Sequence, residues 1–327
     1  MLSKKPWPSP QKSRYLLEIE KLEAGFVKNG QVIQALYQIS YEVEEGEILA
    51  IAGESGSGKT LTALGILRLW PKSLERLGGN IRFEGRDIFS FGEKELNHYR
   101  GGQVAMIFQE PMTALNPVFS VGFQIEEVLR SHHGLSKKEA REVALSLLQK
   151  VGISEPKLRS RQYPFELSGG MRQRVMIAMA LAGNPKLLLA DEPTTALDVT
   201  IQAQILNLIR ELNQKDKMAV VLISHDLGIV AQMSHKIAIM YAGRIVEKGP
   251  TKEVFLNPAH PYTQGLLESR PQRARKKLRP IPGQIPSLTH LPKGCAFYDR
   301  CFAAKPICQQ KPPLKQRTNG HVYLCHF

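Results

Sequence analysis

The sequence predicts an α/β fold, in which parallel strands are joined by crossover helices, followed by a small C-terminal extension. Three observations predict it. Apolar strands alternate with helical segments in the second half of the chain, a glycine-rich loop directly follows a buried strand, and all four cysteines lie in the last 33 of 327 residues. The alternation indicates the layered architecture, the loop indicates a candidate site, and the cysteines mark the extension.

The strands and helices are predicted in chain order, after a short N-terminal tail of residues 1–14. LLEIEKL, ALYQISYEV and IRFEG are typical of short strands, and ILAIAG and VAMIF are buried runs. Residues from about 115 to 170 have helical spacing and form a predicted helical insertion. LLLAD, IQAQILNLIRELNQ and AVVLISH then alternate strand and helix, and KIAIMYAGRIVEKG is typical of a hairpin. We therefore predict one large domain over residues 15–256 and an extension over 257–327, which is rich in proline and basic residues.

Charge and hydropathy limit the classes of function. Lysines near the N-terminus are followed by no apolar stretch, so we expect no secretory signal and a cytoplasmic protein. The longest charge-free apolar run, VMIAMALAG, is less than half of the about 20 residues that a membrane span needs. The net charge is +14, and RPQRARKKLR alone contributes six positive charges. This segment is interpreted as a solvated basic linker, with a polyanion site as the alternative.

GESGSGKT has the pattern of a phosphate-binding loop, G-x-x-x-x-G-K-[ST]. Glycines let successive N–H groups converge on phosphate oxygens at the positive end of the following helix. The lysine can neutralise the β- and γ-phosphates, and the threonine hydroxyl can bind Mg²⁺. The predicted contacts with ATP and Mg²⁺ therefore come from Gly53, Ser55, Gly56, Ser57, Gly58, Lys59 and Thr60.

LLLADEP supplies the second half of such a site. An apolar strand that ends in Asp191 would place a carboxylate beside Mg²⁺, and Glu192 follows where a base could polarise the attacking water. The alternative is a pair of acidic residues at a strand end without a catalytic role. The phosphate-binding loop earlier in the chain favours catalysis.

The chain resembles ATP-binding cassette (ABC) ATPases in these two motifs and in four others. LSGGMRQR is similar to the family's signature motif, IFQEP to its Q-loop, TALD to its D-loop and ISHD to its switch histidine. The resemblance implies a P-loop ATPase domain with a RecA-like core, an antiparallel β subdomain and an α-helical subdomain. It covers residues from about 16 to 249.

The resemblance also implies roles for individual residues. The signature would bind the γ-phosphate of ATP held by a partner subunit, so that two cassettes enclose two nucleotides; exposed N–H groups at a helix start suit such a role. Gln109 would contact Mg²⁺ and the attacking water, His225 the γ-phosphate, and Phe26 the adenine, although Phe26 could also be a core residue. The signature residues are Leu167, Ser168, Gly169, Gly170 and Met171, and the D-loop residue is Asp198.

The residues after the cassette narrow the resemblance. Two segments resemble parts of the ATPase subunits of oligopeptide and dipeptide importers, namely NPAHPYTQGLLESRP and IFQEPMTALNP. The resemblance is stronger to the D-type ATPase subunit than to its F-type partner. This implies a homologous second ATPase subunit, two transmembrane permease subunits, an extracytoplasmic substrate-binding protein and a place on the cytoplasmic face of the inner membrane. One alternative is the same class of importer with another cargo, such as nickel, glutathione or an antimicrobial peptide. A second alternative is a DNA-associated ABC ATPase, which we do not favour because we expect no specific nucleic acid partner.

The cysteines are Cys295, Cys301, Cys308 and Cys325, spaced C-x5-C-x6-C-x16-C. A reducing cytosol disfavours disulfides, and unrelated free thiols are an alternative. The spacing matches neither usual zinc sites nor ferredoxins, so the pattern alone leaves the metal open. The arrangement is similar to that of peptide-permease ATPases that bind a four-iron four-sulfur (4Fe-4S) cluster, and this resemblance implies such a cluster, with a structural role favoured over a redox role.

Overall fold

A computed structural model of the chain describes residues 13–28, 30–194, 198–269 and 280–327. The strands are β1 (Leu17–Lys28), β2 (Gln31–Val43), β3 (Ile48–Ala52), β4 (Leu74–Phe83), β5 (Arg86–Asp87), β6 (Val104–Ile107), β7 (Leu187–Asp191), β8 (Ala219–Ser224), β9 (Lys236–Tyr241), β10 (Arg244–Pro250), β11 (Leu314–Gln316) and β12 (Val322–Leu324). The helices are α1 (Lys59–Ile66), α2 (Glu93–Tyr99), α3 (Pro111–Ala114), α4 (Val121–His133), α5 (Lys137–Lys150), α6 (Pro156–Arg159), α7 (Gly169–Ala182), α8 (Val199–Asp216), α9 (Leu227–Met233), α10 (Thr251–Leu256) and α11 (Pro261–Glu268).

The chain divides into two compact units. Of the described residues, those within 1–16, 44–47 and 90–221 form unit 1, and those within 17–43, 48–89 and 222–327 form unit 2. The described residues after Asn257 therefore group with strands of the predicted ATPase domain instead of forming a unit of their own. The basic linker lies outside the described residues, and the domain boundaries given above stay predictions.

Unit 2 contains two runs of paired strands. One sheet has the order β2-β1-β4-β5 and is antiparallel. The other run has the order β11-β12-β10-β9-β3, in which β3 and β9 are parallel and the remaining pairs are antiparallel. β3 is buried along its whole length, as expected of a central parallel strand. The phosphate-binding loop leaves from the end of this strand.

The C-terminal extension is part of the unit 2 sheet. Its strand β12 pairs with β10, with Tyr323 opposite Glu247. The Glu247 carboxylate is fully buried and accepts the backbone N–H groups of Ala259 at 2.7 Å and His260 at 2.9 Å. It is also 2.7 Å from Nε2 of His321. A buried carboxylate needs hydrogen-bond donors from the protein because water does not reach it. The donors to Glu247 come from both the start and the end of the extension, so this carboxylate joins the two.

Unit 1 combines the parallel pair β6 and β7 with helices. α4, α5 and α6 lie in the segment for which the sequence predicts a helical insertion, and α4, α5 and α7 pack on one another. Local signals define the ends of these helices. The Ser136 hydroxyl accepts the Glu139 N–H and the Glu139 side chain accepts the Ser136 N–H, which forms a capping box at the start of α5. α4 ends at Gly134, whose φ of 65° is left-handed.

In the part of the chain that the structure describes, no helix combines the length and the apolar character that crossing a bilayer requires.

Candidate functional site

The phosphate-binding loop connects β3 to α1 within unit 2. Gly53 has a φ of 153°, and a Cβ at this position would lie 2.2 Å from the carbonyl oxygen of Met240 in β9. The loop can therefore pass β9 only with glycine at this position. Gly58 has a φ of 101° and caps α1 in a left-handed conformation. Ser55, Gly56 and Thr60 are exposed at the surface of the loop, whereas Ser57 is buried. The loop therefore presents its tip and the first turn of a helix to a ligand.

Lys59 is held by the loop itself. Its ammonium group donates to the carbonyl oxygens of Gly53 at 2.8 Å and Glu54 at 2.9 Å, and the residue is buried. A lysine that crosses the loop in this way keeps the chain curled and places a positive charge under the convergent N–H groups. The binding of phosphate by Lys59 stays a prediction.

Two predicted catalytic residues of unit 1 are brought together. Asp191 ends the buried strand β7, and Gln109 follows its parallel neighbour β6. Gln109 Nε2 donates to Glu192 Oε2 at 3.1 Å, across 83 residues of sequence. The carboxyl ends of adjacent parallel strands meet at one edge of a sheet, which is where ligands of such folds bind. The amide fixes one oxygen of the proposed general base.

Glu192 has a strained backbone. Its φ is 45°, in the left-handed region, which costs a residue with a side chain about 1 kcal/mol or more. The strained turn directs the chain away from the strand immediately after Asp191, which is buried. Strain of this kind concentrates at functional sites, and here it lies at the residue that the sequence predicts to activate water.

The signature motif forms the start of α7. The Ser168 hydroxyl caps the helix by accepting the Met171 N–H at 3.4 Å, and Gly169 is exposed. The N–H groups of the first turn have no partner within a helix, so this terminus suits an anion. Leu167 and Gly170 are buried and anchor the motif.

Sequence reasoning did not single out Gln173, which is buried in α7 and donates to the Pro193 carbonyl oxygen at 2.6 Å. This bond joins the signature helix to the residue directly after Glu192. A glutamine within an otherwise apolar helix face is the signal that could have identified it, because a buried amide needs a partner.

The remaining predicted site residues lie at helix starts and on a strand. Asp198 caps α8 by accepting the Ile201 N–H at 2.9 Å; Thr195, Ala196 and Leu197 of the D-loop lie outside the described residues. His225 is exposed directly after β8. Phe26 is half-buried in β1 opposite Ile33, so part of its ring is available for stacking on a base.

The four cysteines line one small cavity, together with His260, Phe297 and other side chains of unit 2. The pKa of Cys295 is raised to about 11, mainly by burial and to a smaller extent by the neighbouring thiols. Burial also raises the pKa of Cys301. Among the described residues, no group of three or more His, Cys, Asp and Glu side chains has an arrangement that could hold a metal ion. The shared cavity joins thiols that are far apart in sequence, and the iron-sulfur cluster stays a prediction.

His260 is buried beside this cavity. Burial lowers its pKa to about 4, because a charged imidazole is disfavoured away from water. Its Nδ1 accepts the Tyr262 N–H at 3.0 Å and so caps α11. The HPY sequence that marks the start of the extension therefore has a structural role as a neutral helix cap.

Comparison with known proteins identifies two families. Residues 36–195 match the family model described as ABC transporter. Residues 246–308 match the model described as oligopeptide/dipeptide transporter, C-terminal region. The first match includes the phosphate-binding loop, Gln109, the signature and Glu192, and the second includes three of the four cysteines.

Relatives match nearly the whole chain. A probable peptide ABC transporter ATP-binding protein of Sinorhizobium fredii is 48% identical over 97% of this chain and 96% of its own length. A Brucella abortus protein, whose name describes ATP binding in peptide import, is 46% identical over 96% of this chain and 95% of its own length.

Solved structures agree on the fold. A dimeric ATP-binding cassette in a post-hydrolysis state with ADP and Pi is 28% identical, with a TM-score of 0.65, over 72% of this chain and 98% of that one. A cassette of a Clostridium perfringens ABC transporter complex is 26% identical, with a TM-score of 0.63, over 75% of this chain and 92% of that one. These matches confirm the predicted α/β P-loop ATPase fold. The chain belongs to the family of ATP-binding subunits of peptide ABC transporters, whose hydrolysis of ATP is coupled to transport.

Proposed function

We propose that this chain hydrolyses ATP to drive the import of dipeptides or oligopeptides across the cytoplasmic membrane. The observation that carries the proposal is the joint occurrence in one chain of the ABC cassette and the oligopeptide/dipeptide C-terminal region, at residues 36–195 and 246–308. The names of relatives that match nearly the whole chain support the same cargo class. A complex that transports nickel, glutathione or an antimicrobial peptide is the alternative.

The roles proposed for the residues of the ATP site follow from the resemblance to ABC ATPases. The exposed loop tip and Lys59 bind the phosphates, while Thr60 and Asp191 hold Mg²⁺, which when bound offsets phosphate charge. Glu192 polarises the attacking water, and the 3.1 Å bond from Gln109 orients its carboxylate. His225 contacts the γ-phosphate and Phe26 stacks on the adenine.

Hydrolysis in this proposal needs a second cassette. The start of α7 is exposed at Gly169, and its N–H groups bind the γ-phosphate of ATP held by a homologous partner. A related cassette solved as a dimer with ADP and Pi supports this arrangement. The partner is a second, F-type ATPase, this chain being the D type. Two transmembrane permease subunits hold both ATPases at the cytoplasmic face of the inner membrane and receive cargo from an extracytoplasmic substrate-binding protein.

The four thiols would hold the 4Fe-4S cluster. Donor chemistry fits, because four cysteines that line one cavity match the ligand set of such a cluster. The choice of the cluster over zinc rests on the resemblance to peptide-permease ATPase subunits. A bound cluster would supply four iron–thiolate bonds that crosslink residues 295–325, a segment with few buried apolar residues of its own.

Reconstitution tests the function. The chain is assembled with its second ATPase and permease subunits in vesicles, and ATP hydrolysis is measured with the substrate-binding protein loaded in turn with dipeptide, oligopeptide, nickel or glutathione. Stimulation by a peptide-loaded binding protein supports the proposal, whereas stimulation by another cargo alone overturns it. ATPase activity stimulated by duplex DNA, with salt-dependent affinity, would instead favour a DNA-associated role.

A further inference from the structure

The extension contacts the phosphate-binding loop through one ion pair within unit 2. Arg300 precedes Cys301, and its guanidinium donates to Glu54 Oε2 at 2.6 Å and Oε1 at 3.0 Å. The Arg300 side chain is 7% exposed and that of Glu54 28% exposed. Two parallel N–H donors on one carboxylate fix its orientation and also offset its negative charge. Glu54 is the second residue of GESGSGKT, so this pair joins the cysteine-rich segment to the ATP site.

Glu54 is held from its backbone as well. Its N–H donates to the Tyr262 hydroxyl at 2.9 Å, and its carbonyl oxygen accepts the Lys59 ammonium at 2.9 Å. Tyr262 belongs to α11, at the start of the extension. The peptide that positions Lys59 is therefore fixed on one side by the loop itself and on the other by two residues that follow the cassette.

Arg300 is itself held rigidly. Its Nε donates to the Pro282 carbonyl oxygen at 2.8 Å, and its guanidinium approaches the Tyr241 hydroxyl at 3.4 Å. Tyr241, Tyr262 and Phe297 form a buried cluster with ring centroids 4.7, 5.2 and 5.3 Å apart. Packed aromatic rings have few alternative rotamers, so the guanidinium has little freedom to leave Glu54.

We propose that Arg300 is a positioning residue for ATP, through which the cysteine-rich extension holds the phosphate-binding loop in its nucleotide-competent shape. The inference rests on the proposed ATPase function and adds a regulatory link to it. Any change that unfolds the segment around Cys301 and Cys308 releases Glu54 and weakens ATP binding. The extension thereby makes nucleotide affinity dependent on its own folded state.

The link has an electrostatic part. A carboxylate at Glu54 lies in the loop that receives a triphosphate, and an unpaired negative charge there repels the ligand. Arg300 neutralises it. Removal of Arg300 alone therefore loosens the loop and uncovers a negative charge, whereas removal of both side-chain charges only loosens the loop.

The test compares variants of the full chain by the affinity of a fluorescent ATP analogue. Arg300→Ala should raise Kd about tenfold, as expected for loss of two charge-assisted hydrogen bonds. Arg300→Ala combined with Glu54→Gln should recover part of that loss, and Arg300→Lys should be intermediate. Arg317→Ala is the matched control, because Arg317 is an extension arginine that donates to the Asn257 carbonyl oxygen at 2.8 Å, and it should bind ATP as the unmodified chain does.

The assembled transporter supplies a second measurement. Arg300→Ala should raise KM for ATP while kcat at saturating ATP stays within about twofold, since no group that contacts the reacting atoms has changed. The proposal is overturned if Arg300→Ala binds ATP within about twofold of the unmodified chain, or if Arg317→Ala weakens binding equally. Should Arg300→Ala not fold, Arg300→Lys takes its place, because lysine keeps the charge but loses the two parallel N–H donors; an unchanged Kd for Arg300→Lys then overturns the proposal. Failure of the unmodified chain to bind ATP would instead contradict the proposed function.

Discussion

Acidification should destabilise unit 2 through His260, and the size of the effect can be calculated. Burial lowers the pKa of this imidazole from 6.5 to about 4. Above pH 6.5 neither the folded nor the unfolded state holds the proton, so full stability is present. As the pH falls from 6.5 towards 4, the unfolded state binds a proton that the folded state excludes, and the free energy of unfolding decreases.

At about pH 5 the two pKa values imply a loss of about 2 kcal/mol relative to about pH 7, rising to about 3 kcal/mol near pH 4. Urea unfolding followed by the fluorescence of Trp70, which lies in unit 2, measures it. His260→Asn keeps a side-chain acceptor for the helix cap and removes the titration. The loss of stability between about pH 7 and about pH 5 should therefore be about 2 kcal/mol smaller in His260→Asn than in the unmodified chain.

His290→Asn is the control, because His290 is exposed in the same extension; its pH dependence should match that of the unmodified chain. An equally steep loss of stability in His260→Asn and the unmodified chain would refute the reasoning.

Four further outcomes are expected. Glu192→Gln in both cassettes should retain ATP binding and stop turnover, because the phosphate contacts remain while the group that polarises water is lost; near-normal phosphate release would contradict this. Ser168→Arg should lower turnover of the assembled complex while leaving this chain's own nucleotide affinity unchanged, which equilibrium binding checks. Cys301→Ser in anaerobically purified protein should lose brown colour, about four irons per chain and protease protection of the tail; zinc without iron in the unmodified protein would overturn the cluster. His321→Ala should reduce the free energy of unfolding by about 2 kcal/mol, since it removes a donor from the buried Glu247 carboxylate, and unchanged urea unfolding would argue against that contact.

Much of the fold could be predicted because its signals are local. The apolar run ILAIAG followed by glycines predicts β3, the phosphate-binding loop and α1, since a buried strand and a left-handed turn each depend on residues a few positions apart. The signature motif likewise predicts the start of α7. The motifs and the family resemblance were therefore predictable from the sequence, and the comparisons confirm the family.

Tertiary structure alone decided which distant residues meet. The bond between Gln109 and Glu192 spans 83 residues, and the pair between Arg300 and Glu54 spans 246. Such contacts depend on strand register, crossover direction and the packing of buried rings. The spacing of neighbouring residues in the sequence predicts none of these three features. The sequence by itself determined the elements and the chemistry each carries, whereas the tertiary structure decided that an arginine beside a cysteine reaches the phosphate-binding loop.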